Sequence, residues 1–330
     1  MGVRIGINGF GRIGRGFMRI LRSYPQIEVV AINDIADTET LIHLLKYDSV
    51  HRAFPGHIQA TDSGFSIDGK DIFVHNQSDA ASIDWEAQNV DIVVEATGLI
   101  KSKNQALAHL KSGVKKIIIS APAEDDIPMV VLGVNASILE NEFDVISNAS
   151  CTTNSAAPMI KVINDLCDVE NAYITTIHSY TTDQRIHDAP HKDLRRARAA
   201  ALSIVPTTTG AAKAVTRIFP ELQEKIGGCG IRVPVPDGSL TDITFNVNRK
   251  TTVEEVNRAF RNASEGDLRG IVGYTSDPIV SSDIIGMSYS VLFDEQLTSV
   301  IGNMVKVVGW YDKEIGYSHR IADLILKVSE

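Results

Sequence analysis

"VRIGINGFGRIGR", Val3 to Arg15, decides the fold of the first half of this chain. It starts as a β-branched run, breaks at Gly9, and continues into "GRIGRGFMRILRSY" (11–24), a helix pattern with Ile13, Phe17, Ile20 and Leu21 on one side. Gly9-x-Gly11-x-x-Gly14 therefore falls after a strand and at the mouth of a helix. A second strand, "EVVAIND", ends at Asp34, twenty residues past Gly14. In that context Gly9 permits a tight turn, Gly11 lets backbone approach a pyrophosphate, and Gly14 allows close packing of helix on sheet. Amide groups at the helix start face the anion. Asp34 would accept hydrogen bonds from ribose hydroxyls and repel a 2′-phosphate, which favours NAD over NADP. The plainer reading is a turn whose glycines serve packing alone; strand, helix and acid in register argue against it.

Working outward, the first 150 residues continue to alternate apolar runs with amphipathic ones. Strands are expected at 3–8, 28–34, 91–97, 115–121, 129–134 ("MVVLGV") and 144–149. Their nearly continuous apolar character suits a parallel sheet covered on both faces, hence a doubly wound, Rossmann-type α/β domain. Past residue 150 the strands lengthen, at 171–181, 228–235, 240–248 and 303–312, and several alternate apolar with polar residues as a sheet with one open face would. Helices are expected at 211–219, at 253–264, and in the closing "SHRIADLILKV". Thr182 to Ser203 is long, polar and poor in structure, which in a compact protein is usually functional.

Bulk properties narrow the function classes. The chain has 330 residues, about two domains' worth, with 44% hydrophobic and 22% charged residues. A formal charge of −9 speaks against a nucleic-acid binder. No uncharged apolar run is long enough to span a bilayer, and no secretory signal pattern is present, so a cytoplasmic location is expected. Cys151, Cys167 and Cys229 lie far apart with no CxxC pair, which indicates a reducing compartment and offers no metal template.

One of those cysteines stands in "SNASCTTN", Ser147 to Asn154, between a strand and the helix pattern "CTTNSAAPMIKVINDL". A thiol at a helix N-terminus gains from the dipole and the unpaired amides. An ordinary thiol is only about 3% ionised at pH 7. Bringing its pKa to about 6 takes roughly 3.4 kcal/mol, of which a helix end supplies about 1 kcal/mol. A cationic partner is needed. His178, where "YITTIHSYT" turns into the long polar loop, is the candidate; the alternative is a hydrogen-bonded structural histidine. Cys167 and Cys229 read as packing residues.

With "INGFGRIGR", "SNASCTTN", "HSYT", "PTTTGAAKAV" and "WYDKEIGYSHR" in that order, essentially the whole chain resembles the phosphorylating glyceraldehyde-3-phosphate dehydrogenase family. The resemblance implies a homotetramer. It implies a nucleotide domain over 1–150, onto which a C-terminal helix (316–330) packs back, and an α+β catalytic domain over 151–315 with a largely antiparallel sheet. Carried over by motif, Cys151 resembles the catalytic thiol and His178 the base. Ser150, Thr152, Thr209 and Gly210 match positions that hold the attacking inorganic phosphate. Thr181 and Arg232 match those that hold the phosphate of glyceraldehyde 3-phosphate. Arg12 and Ile13 match the pyrophosphate turn, Asp34 the ribose ligand, Ser120 a strand end near the nicotinamide, and Gln77 an adenine-side position. "DQRIHDAPHKDLRRARAA" resembles the family's S-shaped interface loop, and its Arg196 adds positive potential near the phosphates.

Several residues depart from the pattern. Lys313 stands where most relatives have Asn, understood to bond the nicotinamide carboxamide; a lysine donates but cannot accept. Ala189 replaces a bulkier residue of strictly NAD-using members, and "HLLKYDS" (His43–Ser49) resembles NADP-using and biosynthetic branches, so NADP remains open beside NAD. Ser155 replaces a common second cysteine, and Ser281–Asp294 departs from the family's usual polar stretch. Alternatives are an erythrose-4-phosphate dehydrogenase, which the intact "TTTGAA" disfavours, and an NAD-binding regulatory protein.

Overall fold

The apolar runs of the first half pair into one eight-stranded sheet in the computed structural model, which describes residues 2–330. Its order is Val145–Ser147, Lys116–Ile119, Ile92–Glu95, Val3–Asn8, Ile27–Asn33, Lys70–His75, Gly64–Ile67 and Ile58–Thr61. The first six run parallel, and a meander of two antiparallel strands closes the edge. Ile92–Glu95 and Val145–Ser147 are buried at every position, as strands covered on both faces must be. From Val3–Asn8 the chain builds outward first in one direction and then in the other. Such a reversal is where open parallel sheets bind ligands, beyond the strands' carboxyl ends. Gly9 follows directly on that central strand.

Local chemistry sets the element ends. Asp37 caps Thr38–Lys46 by accepting from the Thr40 amide at 2.8 Å. The first helix is Arg12–Ile20, and it buries Gly14, Phe17, Met18 and Ile20, so its buried stripe is displaced from the expected one and leaves Ile13 partly exposed. "MVVLGV" is not a strand. Met129 makes a single bridge to Ser147, Pro128 has no amide to extend the ladder, and the chain turns at Gly133 (φ +78°).

Two compact units divide the chain. One comprises residues up to Val130, Ser137–Ala149 and Ser318–Glu330; the other comprises Val131–Ala136 and Ser150–Tyr317. Within the first, Tyr24 donates its hydroxyl to Asp323 at 2.8 Å, on the helix Ile315–Ser329.

The second unit is built on another sheet, in the order Val205–Thr207, Ile226–Val233, Val169–Ser179, Ser239–Val247, Met304–Tyr311, Val291–Asp294 and Val272–Thr275. Ser299–Ile301 pairs alongside Met304–Tyr311. Pairing is antiparallel except between Val169–Ser179 and Ile226–Val233 and between Val272–Thr275 and Val291–Asp294. Cys151–Cys167 is the central helix, with most of its side chains buried between the sheet and the helices Ala211–Ile218 and Val253–Glu265. Ser155 on that helix faces Thr241 of the sheet, hydroxyl to hydroxyl at 2.9 Å. Between Ser179 and Val205 there is neither helix nor strand among the described residues. Nor is any described helix long and apolar enough to cross a membrane.

Candidate active site

In the first unit, Gly9 takes φ +91°, and a side chain there would strike the Thr97 amide at 2.7 Å. A Cβ on Gly14 would lie 2.4 Å from the Gly9 carbonyl, so the helix packs on the turn at backbone distance. Gly11 is the N-cap of Arg12–Ile20, and its Cβ would meet nothing within 4 Å. Open space at a helix N-terminus is what an anionic pyrophosphate requires.

Asp34 stands at the same carboxyl edge, held by the amides of Phe10 (2.8 Å) and Ala36 (3.0 Å). Its two oxygens keep further lone pairs for a diol. Gln77 is exposed, and its backbone is fixed to the Asn33 side chain by bonds of 2.8 and 2.9 Å. Ser120, just past Lys116–Ile119, donates its amide to the Glu95 carbonyl at 2.9 Å. The Arg12 guanidinium turns to Asp48, with contacts of 2.6 and 3.2 Å, which leaves the backbone as its part in the turn.

In the second unit, Cys151 is the first residue of its helix. Ser150 caps that helix by accepting from the Thr153 amide at 3.1 Å. Ala149, immediately before, sits at φ +53°, a region alanine rarely enters. Cys151 Sγ lies 3.7 Å from His178 Nε2. His178 and Arg232 are register partners on adjacent parallel strands. His178 Nδ1 is 2.6 Å from the Ser179 carbonyl and 2.7 Å from an Arg232 NH group.

Burial, reinforced by the Arg232 charge, lowers the His178 pKa to about 3, so the imidazole is neutral. Burial pushes the Cys151 thiol up, while Arg232, the Thr152 side chain and Lys313 pull it down. The cations acting on the thiol are thus Arg232 and Lys313, while the imidazole beside it is neutral.

Of the remaining expected residues, Thr152 and Thr181 lie within three residues of the pair in the chain, and Thr209 and Gly210 follow the strand Val205–Thr207, which pairs with the strand that carries Arg232. Thr152 is buried, with its hydroxyl 2.9 Å from that of Tyr311. Thr209 accepts from the Ala211 amide at 3.2 Å, and Gly210 caps the helix Ala211–Ile218 with open space above it. Thr181 hydrogen-bonds Asp183, which pairs with Arg196 at 2.6 Å. Arg196 also reaches Thr207 Oγ1 at 2.9 Å and the Thr208 carbonyl. Its charge is therefore neutralised by Asp183, and it acts as a tie rather than as free positive potential.

Comparison with known proteins follows the same division. Residues 3–103 match the family model described as "Glyceraldehyde 3-phosphate dehydrogenase, NAD binding domain", and residues 150–313 match its "C-terminal domain". A glyceraldehyde-3-phosphate dehydrogenase of Thermotoga maritima is 54% identical over 98% of this chain and 99% of its own length. One from Geobacillus stearothermophilus is 50% identical over 98% and 97%. Another, numbered 1 in Bacillus subtilis, is 48% identical over 100% and 99%. The chain belongs to the glyceraldehyde-3-phosphate dehydrogenase family.

For this glyceraldehyde-3-phosphate dehydrogenase family member, sequence reasoning missed a set of supporting residues. Tyr311 joins Thr152 and Thr176 through its hydroxyl (2.9 and 2.8 Å) and sets its ring edge-on to His178, 5.9 Å between centroids. At the sheet edge of the first unit, Glu95 is buried and accepts from Asn8 at 2.6 Å, from the Thr97 amide at 2.9 Å, and contacts His109 at 3.2 Å. His109 in turn takes the Trp85 indole N–H at 3.0 Å. A signal existed: Asn8, Asn33 and Glu95 are polar residues that each end a strand directly after an apolar run.

Proposed function

We propose that this protein oxidises glyceraldehyde 3-phosphate to 1,3-bisphosphoglycerate, reversibly, with reduction of NAD and incorporation of inorganic phosphate. The observation that carries the reading is the Cys151–His178 contact of 3.7 Å, with Arg232 in register beside the histidine. Family membership supplies the substrate class.

The Cys151 sulfur adds to the aldehyde carbon while its proton passes through His178 Nε2 to the carbonyl oxygen, which forms a thiohemiacetal. The tautomer this chemistry needs carries its proton on Nδ1, donated to the Ser179 carbonyl, and leaves the Nε2 lone pair facing the reacting centre. The Arg232 N–H then donates to that same carbonyl (3.3 Å) instead of to the ring. His178 Nε2 takes the hydroxyl proton as the carbonyl re-forms. The nicotinamide of a bound NAD would supply the acceptor for the hydride that leaves the same carbon. The thioester on Cys151 is an activated acyl group. An oxygen of inorganic phosphate attacks it, the C–S bond breaks, and thiolate returns with release of the acyl phosphate. Ser150, Thr152, Thr209 and Gly210 hold the attacking phosphate, through hydroxyls and helix-terminal amides. Thr181 and Arg232 hold the substrate's phosphate.

Gly9, Gly11, Arg12, Ile13 and Gly14 form the pyrophosphate turn, Asp34 holds the ribose, and Gln77 and Ser120 line the same edge. Asp34 favours NAD, because a 2′-phosphate would face a carboxylate. Ala189 is the observation on the other side; it is exposed, its amide bonded to the Ala197 carbonyl at 2.9 Å within the 180–204 loop. A cytoplasmic homotetramer is the assembly we propose, with that loop at the subunit interface.

The test supplies glyceraldehyde 3-phosphate with NAD or NADP in parallel, with and without inorganic phosphate, and follows absorbance of the reduced cofactor. Phosphate-dependent turnover with NAD is expected. Turnover mainly with NADP would reverse the Asp34 argument. Failure with both would remove the substrate assignment.

A further inference from the structure

Lys313 is a buried cation to which the chemistry above gives no task. Its side chain is 6% exposed, and its ammonium donates to the carbonyl of Tyr180 and, at 2.6 Å, to that of Pro236. Both acceptors continue the strands that carry the reacting groups. Tyr180 lies two residues beyond His178, and Pro236 four beyond Arg232. Those strands run parallel with His178 opposite Arg232, so a bond to each extension closes them like a clasp just past the site. The Tyr180 ring lies against the same ammonium, 5.7 Å from its centroid. Two of three ammonium donors are thereby fixed.

We propose that Lys313 is a positioning residue for Cys151 and His178: it clasps the two strand ends together and holds a fixed positive charge that favours the thiolate. The proposal rests on the reading of Cys151 as the nucleophile. The Lys313 charge bears on both members of the pair, lowering the pKa of the thiol and of the imidazole. Other charged or titratable groups around them are Arg232, which acts in the same direction, and Tyr311 and Asp183. Glu314 faces the ammonium and supports its charge against the burial that opposes it, and Asp237 adds to that support only once it has lost its proton. Asp312 adjoins Asp237. Removing the ammonium leaves Arg232 as the one cation acting on the thiol, beside the Thr152 hydrogen bonds, so the thiol must ionise at higher pH.

Alkylation of Cys151 by iodoacetamide, followed against pH without substrate or cofactor, reads this directly. The full chain is compared with Lys313→Met, Lys313→Asn and Lys313→Arg, with melting temperatures alongside. In the Met and Asn variants the alkylation midpoint should rise by about half a unit or more, about threefold less thiolate at neutral pH. Arginine, which keeps the charge, should restore most of it. A purely structural clasp would change melting temperature and leave the midpoint alone, and that result overturns the proposal. If the Met variant does not fold, the Asn variant, uncharged but still a donor, makes the same comparison. A wild-type thiol that reacts like free cysteine would instead remove the nucleophile reading, and Lys313's role with it.

Discussion

Between Gly9 and Gly14 the first unit works with backbone, and around Cys151 the second works with side chains. The glycine turn needs six consecutive residues, and what matters in them is the absence of side chains: a Cβ on Gly9 or Gly14 would collide with main-chain atoms. The thiol pocket draws Ser150 to Thr152 from a helix start, Thr176 and His178 from one strand with Thr181 just past its end, Arg232 from a second strand and Tyr311 from a third. A backbone site fails when something is added. A side-chain site fails when something is removed, and its members fail in different ways because burial and charge couple them.

The largest expected effect separates the two regions. His178→Asn removes the base but keeps a polar side chain, and kcat should fall by about 10²–10⁴. Affinity for NAD, measured by quenching of protein fluorescence, should stay within about twofold, because nothing in the glycine turn depends on the histidine. A parallel loss of NAD affinity would break the comparison, since it would make cofactor binding and thiol chemistry one unit of function.

The converse substitution is smaller. In Gly14→Ala the new methyl stands 2.4 Å from the Gly9 carbonyl, so helix and turn must separate. Overpacking of this kind costs about 1–3 kcal/mol, and NAD should bind about tenfold more weakly. Iodoacetamide should alkylate Cys151 at the wild-type rate. Unchanged NAD affinity would mean that the turn does not hold the cofactor.

That contrast also explains what could be read in the chain before its structure was known. Gly9, Gly11, Gly14 and Asp34 were legible because a strand–turn–helix is local and its spacing is fixed by geometry. The long strands of the second half were legible from their alternation. The three-strand edge at 58–75 was not, because its short polar runs, such as "IQAT" and "KDIFVH", are specified by pairing with one another rather than by pattern. "MVVLGV" misled for the opposite reason, being apolar enough for a strand but stopped by Pro128 and Gly133. In the thiol pocket, Cys151 and His178 could be named, yet the source of positive charge could not. It depends on register, which sets Arg232 beside His178, and on Lys313 reaching back to Tyr180 and Pro236. Tyr311 carried no local sign that its hydroxyl would join two threonines from separate elements.

The smallest predicted effect tests whether charge coupling in the second unit extends beyond the reacting pair. Asp237 is fully buried, and its pKa is raised from 3.8 to about 8, first by burial and then by the negative charge of Asp312. Asp312 accepts three amides, from Gly286 (2.7 Å), Glu314 (2.8 Å) and Ile315 (2.7 Å), so of the two it is Asp237 that keeps the proton. Between pH 3.8 and about 8 the folded chain therefore binds a proton at Asp237 that the unfolded chain has released. Its contribution to stability must fall as pH rises through that window and level off above it. His178 works the other way: with its pKa lowered from 6.5 to about 3, its contribution is complete above 6.5 and is lost as pH falls toward 3. Asp237→Asn mimics the protonated acid and does not titrate, while His178 is common to both proteins and cancels in the difference. The melting temperature of the variant minus that of the wild type should be near zero at the acid end of the window and rise steadily toward its alkaline end. A gain that does not depend on pH would show that Asp237 is not the proton holder, and that the charges beneath Lys313 are balanced some other way.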